Sequence, residues 1–472
     1  MVAKRRIAKS LLGAGIGEIV NKIFPLIILH IVVSRLTVEG FGYAQFGVWI
    51  VDLANFFVIF GYQTPLSIEV GKLGDDRPKI GALVSEAIAI KLIHAIVVSI
   101  VMVGIGYLFY ADYIDVIFLC SFIFFTSALD LSFVLVGRQR VFQLSMITVG
   151  VKILSLILIL TLVQDKEDAL LYAVLTMATN GLISVMTLFT VIRQHPLSMP
   201  TAKALYLRLV AAAPFALTLI LLVLLERFDV LYVESVKGAV GAGLYGGPVR
   251  VVQSLVPLVA AVGNVFFSEI VGTDDQEAVR RCAQLGLWVK LLLVMPIIFG
   301  VWFVDDYIVD LILGGEFATV APILSQLALG ILPYAFIIVF GIHILQSHGH
   351  TRQKNLGLAA GLCVGLVSAY ILFPMYSYMG IAVASVIAKS VAALFCFISA
   401  RKIMAIGVSE KVIHTLIPAM LMAAVLYFSG ITNFYLLVIV AAIVYAGSAV
   451  LFNREELLKL FSQVKSDKTE II

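Results

Sequence analysis

Charge is what this sequence has least of. Only 13% of its 472 residues are Asp, Glu, Lys or Arg, while 61% are hydrophobic and the mean hydropathy is +1.08. A soluble domain carries about a quarter charged residues, so the deficit excludes a water-exposed surface over most of the chain. The net charge of +4 is too small for a nucleic-acid footprint, and no nucleic-acid partner is expected. Cysteine is scarce as well. Cys120, Cys282, Cys363 and Cys396 lie far apart with no C-x-x-C pair, which excludes a disulfide framework and leaves small packing residues. There is no P-loop, no G-x-S-x-G and no H-E-x-x-H, so neither ATP hydrolysis nor any other enzymatic role is expected, and no cofactor or metal. Gly241-Ala242-Gly243-Leu244-Tyr245-Gly246 fits G-x-G-x-x-G, but no strand precedes it. It opens an apolar helix, where glycines permit close packing.

What is present is a series of long apolar runs. The first, 11–33, is too long for the core of a signal peptide and has no small-x-small cleavage site after it. A membrane-spanning helix needs about 20 mostly apolar residues. The runs 11–33, 40–63, 81–109, 113–136, 141–163, 169–192, 209–233, 240–267, 283–304, 320–346, 356–374, 380–400, 412–430 and 433–452 meet that length, giving about fourteen spans. The loops between them are short and polar, so no soluble domain fits. Pro25, Pro214, Pro257, Pro296 and Pro333 lie inside spans and are expected to kink them.

Lys and Arg alternate strictly between the two sides. With the N-terminus inside, the inner segments hold 23 of them and the outer only Arg35, Lys166, Arg227 and Lys237. By the positive-inside rule both termini are cytoplasmic. The segment 453–461 has the pattern of a short amphipathic helix on the inner surface.

The chain also resembles itself. Arg35 and Lys237, Tyr43 and Tyr245, and Gly61 and Gly263 are each 202 positions apart, and Ala111-Asp112-Tyr113-Ile114 is echoed by Asp305-Asp306-Tyr307-Ile308. Six spans per repeat keeps the two halves parallel. This places an N-lobe at 1–200, a C-lobe at 201–404, a final helix pair at 405–452 and a cytoplasmic tail at 453–472. Paired repeats with a site between them are the architecture of alternating-access transporters.

An apolar helix ending in Arg35-Leu36, a short turn, Phe41-Gly42, and a second helix closing on Phe60-Gly61-Tyr62 resemble the opening of bacterial O-antigen and polysaccharide flippases. That family belongs to the MOP superfamily, with the MATE drug exporters and the lipid II flippase. Val240–Tyr245 resembles its second-half counterpart, whereas Thr37-Val38 stands where the family usually has Gly-Pro. The resemblance implies an all-α polytopic membrane protein of two six-helix lobes plus two C-terminal helices, enclosing a central cavity. It implies an undecaprenyl-pyrophosphate-linked oligosaccharide as substrate, polysaccharide polymerase machinery as a neighbour, and the bacterial inner membrane as location. The alternatives are a MATE-like antiporter of cations or drugs and a membrane polymerase or ligase. Short outer loops argue against the last.

An ionisable group at bilayer depth costs about 2.5–3.5 kcal/mol on insertion scales, so it is expected to face a cavity or a partner. The basic candidates for binding a diphosphate headgroup are Arg250, Lys152, Lys290, Lys91, Lys389 and Lys22, with Arg35 at a span end. Arg250 leads, because its planar fork suits bidentate phosphate binding. Asp52, Asp130 and Glu18 are the candidate sites for a coupling proton or sodium ion. Glu18 and Lys22 stand at i, i+4 and can instead neutralise each other, and Arg35 can serve simply as a helix-end anchor.

Overall fold

The computed structural model describes Phe24 and residues 26–271, 276–404, 406–431 and 433–454, with side chains left out at 64, 257–271, 276 and 278. The described residues form helices and short connections only. Glu18, Lys22 and the amphipathic segment after 454 lie outside them.

Among the described residues, eleven helical stretches are long and apolar enough to cross a membrane. The first apolar run enters as α1 (Leu26–Arg35). Next come α2 (Val38–Ile59), α3 (Gln63–Leu73) and α4 (Arg77–Phe109). The run expected as one helix over 113–136 is broken into α5 (Ile114–Cys120), α6 (Phe122–Ala128) and α7 (Ser132–Gly137). Then α8 (Val141–Leu162) and α9 (Ala169–Ile192) follow.

The helical stretch Ala202–Val271 folds back at Gly238, whose φ of 63° favours a residue without a side chain. It comprises α10 (202–237) and α11 (239–271). Tyr245 Oη donates to Asp229 Oδ2 at 3.0 Å. Sixteen residues of straight helix would span about 24 Å, so this bond exists only because the chain reverses. Arg227, expected in an outer loop, lies within α10. Its surroundings are half-buried, which the count of loop charges had no means of detecting.

Beyond Gly247 come α12 (Gln276–Ile312), α13 (Ala321–Leu329), α14 (Ile331–Phe336) and a π-helix (Ile337–Gln346). The π-helix begins four residues after Pro333, consistent with a proline displacing the normal ladder. Thr351–Arg401 reverses at Ser377 (φ 51°) into α15 (351–376) and α16 (378–401). Gly361 meets Ala388 and Ala392 there, and Gly380 meets Leu372, contacts that identify an antiparallel hairpin. Lys354 is fully buried in α15 and donates to Gln346 Oε1. The chain ends in α17 (Ser409–Phe428) and α18 (Phe434–Phe452).

Contacts gather the chain into two compact units, Met1–Gly247 and Pro248–Ile472. The first includes α10 because Arg208 reaches Glu69 of α3 and Glu86 of α4. Exposure runs opposite to that of a soluble protein. Ile100, Tyr107, Leu108 and Phe109 are at least 70% exposed, whereas Lys91, Lys290 and Lys354 are at most 3% exposed. Apolar side chains outward and cations inward is the distribution a hydrocarbon solvent selects.

Candidate functional site

The first unit contains a cavity of about 410 Å³. Helical periodicity builds one wall of it. Asp52, Asn55, Phe56 and Ile59 of α2 recur at i, i+3, i+4 and i+7 and share one face. Asn180, Ile183 and Ser184 of α9 form a second wall by the same spacing, and Leu144 and Thr148 of α8 a third. The break between α6 and α7 contributes Ser127, Asp130 and Ser132, and α10 contributes Arg227.

Asp130 secures that break. Its Oδ1 accepts from Ser132 N at 3.0 Å and lies 3.2 Å from Thr187 Oγ1, while its Oδ2 accepts from Gln63 Nε2 at 2.5 Å and Ser132 Oγ at 2.9 Å. Lys91 Nζ donates to the Asp130 carbonyl at 2.7 Å and to the Ser127 carbonyl at 3.4 Å. A buried ammonium thus satisfies carbonyls that lost their helical partners where the helix ends. Asn55 Nδ2 donates to Ser127 Oγ at 3.0 Å and ties α2 to the same place.

Asp52 is held differently. Its Oδ2 stands 4.0 Å from Arg227 Nη2, with the Asp52 side chain 26% exposed and that of Arg227 16%. The guanidinium also lies over the Trp49 ring, 5.8 Å from its centroid, a cation–π arrangement. At 4.0 Å the pair is at the long limit of direct contact.

The cavity thus joins Asp52 and Asp130, with Lys91 against its polar floor, and adds Arg227, which the sequence reading had set in a loop. Among the described residues, the other candidate cations are not part of its lining. Arg35 Nη1 donates to the carbonyls of Leu160 at 2.9 Å and Val163 at 2.6 Å, so it anchors the C-terminal end of α8, where carbonyls lack helical partners. Lys152 lies 5.2 Å from the centroid of the Phe24 ring, and Lys389 Nζ donates to Ser385 Oγ at 3.2 Å. Lys290, in the second unit, is fully buried, with no hydrogen-bond partner for Nζ among the described residues. Arg250 is half-buried on α11. Asn55, Asn180 and Gln63 were missed, because a neutral amide in an apolar run carries no charge signal.

A family model described as "Polysaccharide biosynthesis protein" matches residues 7–267, more than half of the chain and all of the cavity. The chain belongs to this family. No curated protein sequence matches the chain. Among solved structures, the family member is similar in fold to the lipid II flippase MurJ in an inward closed conformation. The TM-score is 0.72 at 14% identity, covering 94% of this chain and 99% of the other. It is also similar to a eukaryotic MATE transporter (TM-score 0.61, 16% identity, 88% and 99% covered). An inward-facing MATE transporter of the MOP superfamily matches too (TM-score 0.60, 15% identity, 82% and 94% covered). The all-helical fold expected from the sequence is the one this family member shares with those transporters.

Proposed function

We propose that this protein is a flippase that carries an undecaprenyl-pyrophosphate-linked oligosaccharide from the cytoplasmic to the outer leaflet of the bacterial inner membrane by ion-coupled alternating access. The observation that carries the reading is the family match over 7–267, joined to a fold shared along 94% of the chain with a protein described as a lipid II flippase. A pyrophosphate and a hydrated glycan cannot cross hydrocarbon, so cations must replace water around the headgroup. We assign that role first to Arg250, since Lys91 and Arg35 are engaged with backbone carbonyls.

Asp52 is the proposed coupling carboxylate. Binding of a proton or sodium ion weakens its attraction to Arg227 and frees the guanidinium, so that ion arrival changes the contact between α2 and α10. Asp130, accepting bonds at both oxygens, is proposed as a second and weaker coupling site. Delivered repeat units would pass to a polysaccharide polymerase.

A MATE-like antiporter is the second reading, favoured by the two carboxylates against one guanidinium in the cavity. The decisive experiment is deletion followed by analysis of lipid-linked sugars. Accumulation of undecaprenyl-pyrophosphate-linked repeat units on the cytoplasmic face is expected. Altered drug sensitivity without that accumulation would favour the antiporter. Arg250→Ala and Asp52→Asn should each abolish complementation at normal protein level, and unchanged complementation removes the residue from its assigned role.

A further inference from the structure

Three chain breaks in the first unit converge on a second, smaller cavity of about 50 Å³. The turn between α3 and α4 contributes Asp75 and Arg77, the turn between α7 and α8 contributes Arg138 and Arg140, and the segment after α9 contributes Gln194 and His195. All three breaks lie on the side where Lys and Arg are concentrated, at the ends of the spanning helices and thus at headgroup depth.

Charge is unbalanced there. Three guanidinium groups share one carboxylate, and Arg138 alone takes it, forking onto Asp75 Oδ1 and the Gly74 carbonyl. Arg140 Nη1 donates to Gln194 Oε1 at 2.6 Å, which positions the guanidinium without neutralising it. Gln139, between the two arginines, adopts a left-handed conformation with φ 55°, which is strained for a residue with a Cβ. That reversal brings two successive basic side chains to one cavity. His195 lines the same space, is only 8% exposed and has no hydrogen-bond partner at Nδ1 among the described residues. Burial holds it below the ordinary imidazole value of 6.5, so at neutral pH it is an uncharged polar group. Arg77 and Arg140 remain exposed and within reach of solvent and headgroups.

Guanidinium groups that outnumber their carboxylates call for an anion. The space is small, which suits a compact tetrahedral oxyanion. Arginine forks match phosphate oxygens bidentately, and basic pockets between helices on the cytoplasmic side are where anionic headgroups lodge. The geometry points to a phosphate-binding site formed by Arg77, Arg138 and Arg140 at the headgroup end of the first unit, distinct from the Asp52 cavity. The phosphate can come from a phospholipid headgroup or from solution, and the chemistry recognised is the same. The assignment does not depend on the transported substrate.

The test uses the full-length protein purified in detergent and stripped of lipid. Thermal unfolding is followed while inorganic phosphate replaces chloride at constant ionic strength, and native mass spectrometry counts retained phosphatidylglycerol against diacylglycerol, which lacks the phosphate. Stabilisation by phosphate, or retention of phosphatidylglycerol over diacylglycerol, is expected. Either affinity should fall at least about tenfold in Arg77→Gln and in Arg140→Gln, as for a lost charge-assisted hydrogen bond. Arg138 is left intact because it also joins two turns. Phosphatidylglycerol displaced by inorganic phosphate, or bound alone, identifies a lipid headgroup as the source. Stabilisation by inorganic phosphate alone identifies a soluble anion. No preference for phosphate over chloride or for phosphatidylglycerol over diacylglycerol overturns the site, as does equal binding by wild type and both variants.

Discussion

Gly42 approaches Ala239 so closely that a Cβ added at Gly42 would stand 1.9 Å from the Ala239 carbonyl oxygen. The contact is mutual, since a Cβ at Gly243 would stand 2.2 Å from the Val38 carbonyl oxygen. Backbones of α2 and α11 thus cross where only small residues fit, the association favoured in a membrane. Gly42→Val should destabilise the protein by about 1–3 kcal/mol through overpacking, read as a lower thermal midpoint in detergent. Gly104→Val, with nothing within 4 Å of the added carbon, should leave the midpoint near wild type. Equal midpoints for the two variants would show that the crossing does not govern stability.

Tyr245→Phe isolates the hydrogen bond across the Gly238 reversal. Asp229 is 1% exposed and, among the described residues, keeps only its bond from Val230 N, at 2.8 Å, once the phenol is gone. Removing one partner from a buried acceptor costs about 1–3 kcal/mol. The ring volume is unchanged, so a lower midpoint reports the lost bond, and an unchanged one means water replaces it.

Arg208 joins three helices. It donates to Glu86 Oε2 at 2.8 Å and to Glu69 Oε1 at 2.9 Å. Arg208→Gln leaves two carboxylates without their cation and should cost roughly 1–2 kcal/mol, less than for a fully buried pair because water screens the exposed side. Arg208→Lys should recover only part of this, since an ammonium cannot fork to both acids. Full recovery by lysine would mean that charge alone suffices.

The last two helices are held to α12 by polar contacts. Trp288 Nε1 donates to Asn453 Oδ1 at 2.7 Å, and Asn453 Nδ2 donates to the His414 carbonyl at 3.1 Å. Tyr445 Oη donates to the Leu292 carbonyl at 2.6 Å. Asn453→Ala orphans the buried indole at a cost of about 1–3 kcal/mol. Faster hydrogen exchange in α17 and α18 than in wild type is the expected readout, and unaltered exchange would show that apolar packing alone holds the pair.

Arg138 holds the Asp75 carboxyl below its ordinary value of 3.8. A depressed pKa in the folded state contributes stability above the unfolded value and loses it as pH falls through the lowered one. The difference in midpoint between wild type and Arg138→Gln should therefore be constant from neutral pH down to about 4 and shrink below that. A difference that persists undiminished at lower pH would locate Arg138's contribution in its bond to the Gly74 carbonyl.

The all-helical class and most span positions were legible from composition and run length, because hydrocarbon requires every backbone polar group to be bonded within its own segment. That constraint is local, and a local pattern records it. Asp52 and Asp130 were legible for a related reason, since a carboxylate inside an apolar run is costly and conspicuous. The reversals at Gly238 and Ser377, the breaks in 113–136, and the place of Arg227 were not. Each depends on which helices meet, and hydropathy averages over the faces that decide it. The same limit explains Arg35 and Lys91. Both stand out as charges, yet their work for the carbonyls of α8 and of the α6–α7 break appears only once segments distant in sequence are packed together. The sequence alone determined that the chain is a helical membrane protein with charges at depth. Tertiary structure decided which of those charges share a cavity, because electrostatic interaction depends on separation in space and not along the chain.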